Sequence, residues 1–232
     1  MAHNSSRNMK SLANLYSIGT AMLATVVACG TANAWTVYDN TAAGSDLAAG
    51  YSSVNEFGDE ILLDTSTAAR IITDFSFEYF GINATANAQV TLRFYLNDVL
   101  NSKGFWEPGT LLWSDSSDPL VGIPPTERAT LWWQPNVFIP ANSFTWTVEF
   151  SGLSTAGGTW GLNLYDPPTV GNNYDDYWEH DALGNWLLQT NKFNVPMNFA
   201  ARAEAVPEPN AALLGIAGAL AILIFRAKMR KA

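Results

Sequence analysis

The sequence predicts an all-β protein built as a two-sheet, jelly-roll-like β-sandwich, preceded by a signal helix and followed by a single transmembrane helix. Of its 232 residues, 48% are hydrophobic, 12% are aromatic and 14% are charged, a composition that favours half-buried strands. In the middle of the chain, apolar and polar residues alternate, and turn residues separate these runs. About nine to eleven short strands with a turn roughly every ten residues are typical of a sandwich.

The first segment, residues 1–34, predicts a secretory signal peptide. A polar and basic part ends at Lys10, an apolar stretch runs from Leu15 to Ala28, and small residues follow. Ala32 and Ala34 fit the pattern that signal peptidase recognises, with cleavage after Ala34. We therefore expect the chain to be exported.

Cys29 leaves a second processing route open. The stretch from Val26 to Cys29 resembles a lipoprotein box, in which Cys29 would be lipidated and become the first residue of the mature protein. No other cysteine is present. A mature domain beginning at Trp35 would then have neither a disulfide nor a cysteine metal site.

The second segment, residues 35–205, carries the strand pattern. Four groups of apolar residues each share one face of a predicted strand: Phe75, Phe77, Tyr79; Val90, Leu92, Phe94, Leu96; Phe144, Trp146, Val148, Phe150; Trp160, Leu162, Leu164. Shorter predicted strands lie at 35–38, 60–63, 110–113, 129–133, 186–189 and 197–203. Predicted turns lie at 81–83, 97–98, 107–109, 124–125, 140–142, 156–158 and 166–168.

The charge of this segment excludes one class of partner. Between Trp35 and Val206 there are 20 acidic and 6 basic residues, a net charge of −14. A surface this acidic repels phosphate backbones, so we expect no nucleic-acid partner.

The third segment, residues 206–232, has three parts in a fixed order. It begins with the motif Val206-Pro207-Glu208-Pro209, continues with a predicted transmembrane helix over 210–225, and ends in a basic tail containing Arg226, Lys228, Arg230 and Lys231. Its prolines keep the motif extended. The uncharged stretch Ala211–Phe225 would reach roughly 22 Å as a helix, less than the ~30 Å of a bilayer core, so it suits a temporary anchor.

This order of motif, helix and basic residues resembles the PEP-CTERM sorting tag. The resemblance implies a Gram-negative bacterium that makes extracellular polysaccharide, with signal peptidase and exosortase as processing partners. Exosortase would cut at the motif after transient anchoring in the inner membrane. The mature protein would then reside in the periplasm or outer membrane, at the cell surface or in the matrix.

Two stretches of the middle segment resemble the opening half of uncharacterised exported sandwich proteins that carry this tag. They are Gly58-Asp-Glu-Ile61, which precedes a predicted strand hairpin, and the turn Pro108-Gly-Thr-Leu-Leu-Trp113. The resemblance implies the fold and the export, and it brings no activity.

Catalytic signals are weak in the sequence. His180 is the only histidine beyond the signal segment, and no Gly-x-Ser-x-Gly elbow accompanies it, so we interpret it as a solvated or hydrogen-bonded loop residue. A carboxylate pair for glycoside hydrolysis could come from Asp59, Glu60, Glu78 or Glu149. Because Glu78 and Glu149 fall on the polar phase of their strands, we expect them on a solvent face, and we expect no enzyme.

One polar loop predicts two alternative kinds of site. Its carboxylates could ligate calcium, although their spacing does not fit an EF-hand, and these weak metal candidates are Asp175, Asp176, Glu179 and Asp181. We predict no other cofactor. An exposed acidic loop without metal is the simpler interpretation.

The aromatic residues in and after this loop favour sugar binding, because flat rings stack on the apolar faces of sugars. The candidate glycan contacts are Tyr174, Tyr177, Trp178 and Trp186, while packing in the core or at its edge is the favoured alternative for each tryptophan taken singly. Trp132-Trp133 is a second candidate, since neighbouring strand residues point to opposite faces. The leading hypothesis is a non-enzymatic matrix or envelope protein that binds extracellular polysaccharide. A structural or adhesive surface protein and a secreted carbohydrate-active enzyme are the alternatives.

Overall fold

The computed structural model describes residues 33–41, 49–82, 87–120, 129–152, 158–190 and 196–208. All regular structure in these ranges is β, which confirms the predicted all-β class. The part of the chain from Ala34 to Glu208 forms one compact unit. The predicted signal and transmembrane helices, with Cys29, Ala32, Pro209 and the basic tail, lie outside the described residues. Within these ranges, no helix is long and apolar enough to cross a membrane.

Fourteen strands occur in these ranges. They are β1 (Trp35–Asp39), β2 (Ala49–Tyr51), β3 (Phe57–Leu62), β4 (Ala69–Ile82), β5 (Gln89–Leu100), β6 (Trp106–Ser116), β7 (Ala129–Trp133), β8 (Val137–Phe138), β9 (Ser143–Ser151), β10 (Thr159–Leu164), β11 (Asn172–Asn173), β12 (Tyr177–His180), β13 (Trp186–Gln189) and β14 (Ala201–Pro207).

The strands form two antiparallel sheets. Sheet 1 has the order β1-β14-β4-β10-β2, with β7 and β8 also paired to β4, and sheet 2 has the order β13-β12-β3-β9-β5-β6, with β11 paired to β3. Residues Phe75–Phe77 of β4 pair with β14 and also with β7, so these two strands lie on opposite edges of β4. The order β1-β14-β4-β7 is thus contained in sheet 1, facing β3-β9-β5-β6 of sheet 2.

The core lies between the two sheets and is rich in aromatic rings. Phe75 of sheet 1 contacts Phe94 of sheet 2, with 4.8 Å between ring centroids, and Phe77 stacks on Trp146 at 5.6 Å. The alternation predicted this correctly, because every residue of the four predicted groups except Leu96 is buried. Burial of these rings is the main favourable term in folding.

The hairpin of β5 and β6 is longer than predicted. Both proposed turns, at 97–98 and 107–109, lie inside its strands, where the register shifts. The Asp98 carboxylate accepts hydrogen bonds from the Thr110 N–H at 2.9 Å and the Thr110 hydroxyl at 2.6 Å, so turn-type residues here stabilise bulges. Residues 81–82, another predicted turn, likewise belong to β4. The predicted turn at 140–142 is confirmed.

The last strand is displaced from its predicted position, 197–203, to Ala201–Pro207. Val206 pairs with Ile71 and Pro207 with Ala69 in β4, so the strand passes the predicted domain boundary at 205 and includes the start of the extended motif. Pro207 has no N–H, but it lies beyond Ala205, the last β14 residue that pairs with β1. A proline is tolerated where no neighbouring strand needs its donor.

Candidate glycan-binding site

Sheet 2 curls strongly enough for its two end strands to share a cleft. β13 and β6 stand at opposite ends of the strand order. The cleft nevertheless has a volume of about 630 Å³ and is lined from both sides by Asn101, Ser102, Lys103, Phe105, Glu107, Gly184, Asn185, Trp186, Leu187, Leu188 and Gln189. Tyr95 of β5 contacts Trp186 of β13 edge to face, with ring centroids 5.4 Å apart. The outer face of this sheet is therefore concave.

One wall of the cleft is the tip of the β5–β6 hairpin. The Asn101 side-chain oxygen accepts hydrogen bonds from the N–H groups of Lys103 and Phe105, both at 3.0 Å. Gly104 follows with a φ of 87°, a conformation that suits glycine. This is the three-residue hairpin loop with a bulge glycine, and its internal hydrogen bonds hold Phe105 in place.

The other wall, the tip of the β12–β13 hairpin, repeats the same design. The Asp181 carboxylate accepts hydrogen bonds from the N–H groups of Leu183 at 2.9 Å and Asn185 at 2.8 Å, and Gly184 has a φ of 89°. The two loops share the pattern Asn/Asp-x-x-Gly, which the sequence interpretation missed. Asparagine or aspartate three residues before glycine, between apolar runs, is the signal that would have found them.

Trp186 is the aromatic platform of the cleft. Its ring lies over His180 with centroids 4.6 Å apart, and it is partly exposed. Phe105 on the opposite wall is 49% exposed. Amide, ammonium and carboxylate groups of neighbouring lining residues surround these rings. The cleft thus combines flat apolar surfaces with hydrogen-bonding groups.

A charged network on the same face supports this platform. Glu56 pairs with Arg93 at 3.0 Å and accepts hydrogen bonds from the hydroxyls of Tyr95 at 3.1 Å and Thr147 at 2.5 Å. The His180 imidazole lies 3.9 Å from Glu56. Burial raises the pKa of Tyr95, and the Glu56 carboxylate adds to that shift, so the phenol stays neutral. The network orders the strands beneath Trp186.

The structure corrects half of the predicted glycan contacts. Trp186 lies in the cleft, and Tyr174 is 51% exposed but is not among the residues that line it. Tyr177 and Trp178 are buried, so neither presents the open ring that the prediction requires. Tyr177 donates a hydrogen bond to the Tyr51 hydroxyl at 2.7 Å in the core. Trp178 lies opposite Gly58, where no side chain competes for space.

The four predicted calcium ligands serve separate local roles. Glu179 accepts hydrogen bonds from Ser53 at 2.5 Å and Asn55 at 3.2 Å, whereas Asp181 stabilises the hairpin loop. Asp175 accepts a hydrogen bond from the Met197 N–H at its backbone oxygen, and Asp176 lies near Glu60. Among the described residues, no group of three or more acidic, histidine or cysteine side chains is placed to hold a metal ion.

The candidate catalytic carboxylates also separate. Glu78 was expected on a solvent face, but it is buried and accepts hydrogen bonds from Tyr165 at 2.6 Å and Asn163 at 3.3 Å. Asp59 is completely buried on the core side of β3, where it binds Asn173 at 3.0 Å. Glu149 is half exposed, as predicted from its position on the polar face of its strand. Its carboxylate pairs with Arg93 at 2.8 Å.

The Trp132-Trp133 pair alternates as predicted. Trp133 is 8% exposed and stacks on Phe77 with ring centroids 5.3 Å apart, whereas Trp132 is 75% exposed. His180, expected in a loop, instead ends β12 with its side chain against Trp186. The strand placement follows from its pairing with Trp186 across the hairpin.

No protein-family model matches this chain, and no curated protein matches it. Among solved structures, the chain is similar to one from infectious bursal disease virus, titled "Structure of infectious bursal disease virus Gt strain", at 9% identity and a TM-score of 0.21. The match covers 77% of this chain and 36% of that chain. Likeness at this level carries no argument about function.

Proposed function

We propose that this protein is an exported, non-enzymatic component of the cell envelope or extracellular matrix whose β domain binds glycan. The observation that carries the proposal is the cleft of about 630 Å³ in sheet 2, with Trp186 and Phe105 on facing walls. Its volume falls within the range of about 300–1,000 Å³ common for ligand sites. The contained order β1-β14-β4-β7 over β3-β9-β5-β6 supports a jelly-roll assignment, although a fold alone supplies no function.

The chemistry of the cleft fits a neutral polysaccharide. Sugar rings present flat C–H faces that pack on Trp186, and side chains such as Asn101 and Gln189 can exchange hydrogen bonds with hydroxyl groups. The net charge of −14 between Trp35 and Val206 disfavours polymers that carry many carboxylates or sulfates. We therefore propose an uncharged glycan chain as the ligand.

The proposal also includes export of the protein to the compartment that contains the glycan. The signal segment 1–34 and the PEP-CTERM-like segment 206–232 support export, with Ala34 and the Val206–Pro209 motif as processing sites. Signal peptidase and exosortase would be the partners during export. A lipidated Cys29 remains the alternative start of the mature chain.

An adhesive function is the second candidate, and one observation favours it. Besides Phe105 in the cleft, the β5–β6 hairpin exposes several large apolar side chains, and Leu100 pairs with Trp106 across it; the exposed residues are Val99, Leu100, Trp106 and Leu111. Exposed apolar clusters mark protein contacts as well as ligand sites. Self-association without any glycan binding would favour this function over the first.

Substitution of the aromatic platform tests glycan binding. We expect Trp186→Ala and Phe105→Ala each to weaken retardation in gels containing a neutral β-glucan, mannan or dextran by at least about tenfold, because each removes a stacking surface. Phe138→Ala is the matched control, since Phe138 is 44% exposed and lies outside the cleft. Thermal unfolding measured on all three variants separates lost contacts from lost stability.

The glycan hypothesis fails if wild-type protein is not retarded by any of these polymers, or if the control variant loses as much binding as Trp186→Ala. Trp178→Ala does not test binding. That residue is buried, so its removal should cost about 3–5 kcal/mol of stability instead.

Intact-mass measurement of the exported protein tests the sorting proposal. We expect a mature form that begins at Trp35 and ends within the Val206–Pro209 motif, so that it lacks both the predicted helix and the basic tail. A form that retains the basic tail would contradict cleavage at the motif, and one that begins at a modified Cys29 would replace the simple signal peptide by a lipoprotein signal.

A further inference from the structure

A second cleft lies on the outer face of sheet 1, away from the first. Its volume is about 330 Å³, and the outward-facing residues that line it are Asp74, Ser76, Trp132, Arg202 and Glu204. The surface includes Trp132, the exposed member of the Trp132-Trp133 pair that the sequence offers as a second candidate for sugar contact. We propose that it is a second site for the same neutral glycan, which makes the domain bivalent; this rests on the proposed function.

The strand register explains the shape of this cleft. Ser76 of β4 pairs with Trp132 of β7 on one side and with Arg202 of β14 on the other. Side chains in such a row point to the same face, and neighbouring strands are about 4.8 Å apart, so the backbones of Trp132 and Arg202 are roughly 10 Å apart. Ser76 is small, and it therefore forms the floor between two larger side chains.

Hydrogen bonds fix the Arg202 wall. Arg202 donates to Glu204 of its own strand at 2.8 Å and to the Thr36 hydroxyl at 3.2 Å on β1, which lies on the side of β14 away from β4. The neighbouring Trp133 anchors β7 in the core by stacking on Phe77. Trp132 is thus carried on a fixed strand while its indole stays 75% exposed.

The chemistry of this cleft repeats that of the first. An indole offers a stacking face, and the carboxylate of Asp74 and hydroxyl of Ser76 offer acceptors for sugar hydroxyls. The gap of roughly 10 Å between backbones can admit one sugar ring above a serine floor. The acidity of the domain again favours an uncharged chain.

The two clefts lie on the outer faces of opposite sheets. A ring on Trp132 and a ring on Trp186 are therefore separated by the full thickness of the sandwich. One short oligosaccharide cannot occupy both, whereas two polymer chains can. A bivalent domain of this kind cross-links polysaccharide and gains avidity on a dense matrix.

The experiment uses the mature protein with three variants: Trp132→Ala, Trp186→Ala and the double variant. Gel retardation by the neutral polymer that retards the wild type measures binding, and light scattering of a dilute solution of that polymer measures cross-linking. We expect the wild type to raise scattering, each single variant to bind at least about tenfold more weakly without raising scattering, and the double variant to do neither.

Each contrary outcome has a distinct meaning. Undiminished scattering with Trp132→Ala overturns the second site, even if the loss with Trp186→Ala supports the first. Complete loss of retardation with Trp186→Ala alone also overturns it, because a true second site would retain weak binding. Absence of wild-type retardation defeats the proposed function itself. Unfolding temperatures should match in all variants, since Trp132 is exposed and Trp186 partly so.

Discussion

Asp59 is a carboxyl group inside the sandwich. It shares a strand face with Phe57 and Ile61, and it pairs across the sheet with Trp146. Burial raises the pKa of Asp59 well above its ordinary value of 3.8, and nearby Asp176 adds to the rise, whereas the hydrogen bond from Asn173 opposes it. The folded protein therefore favours the protonated form.

This burial predicts a pH-dependent stability. The unfolded carboxyl ionises near its ordinary value, so above that pH the unfolded state binds fewer protons than the folded state. Stability should then fall as the pH rises from that ordinary value through the pKa of the folded state. We expect Asp59→Asn to flatten this part of the profile, as measured by urea-unfolding midpoints from pH 4 to pH 8.

The comparison variant is Asp74→Asn, which replaces a half-buried carboxylate on the outer face; the flattening should be greater in Asp59→Asn than in this variant. If the wild type is equally stable across this range, the raised pKa of Asp59 is contradicted.

Single residues show where sequence reasoning succeeded and where it stopped. Alternation correctly predicted that Trp132 and Trp133 point to opposite faces, and the structure shows that Trp132 is the outer one. The same alternation puts Asp59 and Phe57 on one face. Because Glu78 is polar, the sequence predicted that it would face solvent. In the structure it is buried and hydrogen-bonded to Asn163 of β10 and to Tyr165, which follows that strand, both far from Glu78 along the chain. Long-range partners of this kind have no local sequence signal.

At the scale of elements, close packing of β3 against β9 depends on Gly58. A Cβ atom built there would lie 1.9 Å from the backbone oxygen of Trp146 and 2.6 Å from the Thr147 Cα. Backbone atoms of a paired strand cannot move aside for an added Cβ atom as the end of a flexible side chain can. The glycine of the Gly58–Ile61 stretch therefore has a structural explanation.

Gly58→Ala should destabilise the domain by about 3 kcal/mol or more, because the two strands must separate. Chemical denaturation measures the change. Gly104→Ala is the comparison: its added Cβ meets nothing within 4 Å, so only the strain of its φ of 87° remains, at about 1 kcal/mol. Equal losses in the two variants would contradict the packing argument.

The hairpins of the first cleft illustrate what element-level patterns reveal. The positions of β9 and β10 were predicted from period-two alternation. The curl that brings the end strands β13 and β6 to a common cleft results from twist summed over six strands, which no single strand's sequence reveals. Of the residues that line the cleft, Trp186 was predicted from the sequence as a glycan contact. Its assembly with Phe105 could not be predicted.

At the scale of the whole molecule, β14 is the strand that completes sheet 1. It pairs with β1 on one edge and β4 on the other. The sandwich class was predictable from composition and turn spacing. The strand order was not, because antiparallel pairings between distant segments leave no periodic trace.

Removal of β14 should therefore unfold the domain, whereas trimming at its end should not. We expect residues 34–208 to unfold cooperatively on heating, residues 34–205 to lose about 1 kcal/mol, and residues 34–200 to lack a transition. Circular dichroism against temperature measures all three. A normal transition for residues 34–200 would show that β14 is dispensable.

The pairing of β1 with β14 also governs when the chain can fold. Trp35 finds its neighbour Ala205 only after the whole domain has been synthesised, and contacts this distant in sequence make folding slow. The chain thus keeps an incomplete sheet throughout its synthesis. The proposed export requires a polypeptide that is still unfolded when it enters a narrow membrane pore, and a topology that delays completion of sheet 1 favours that state.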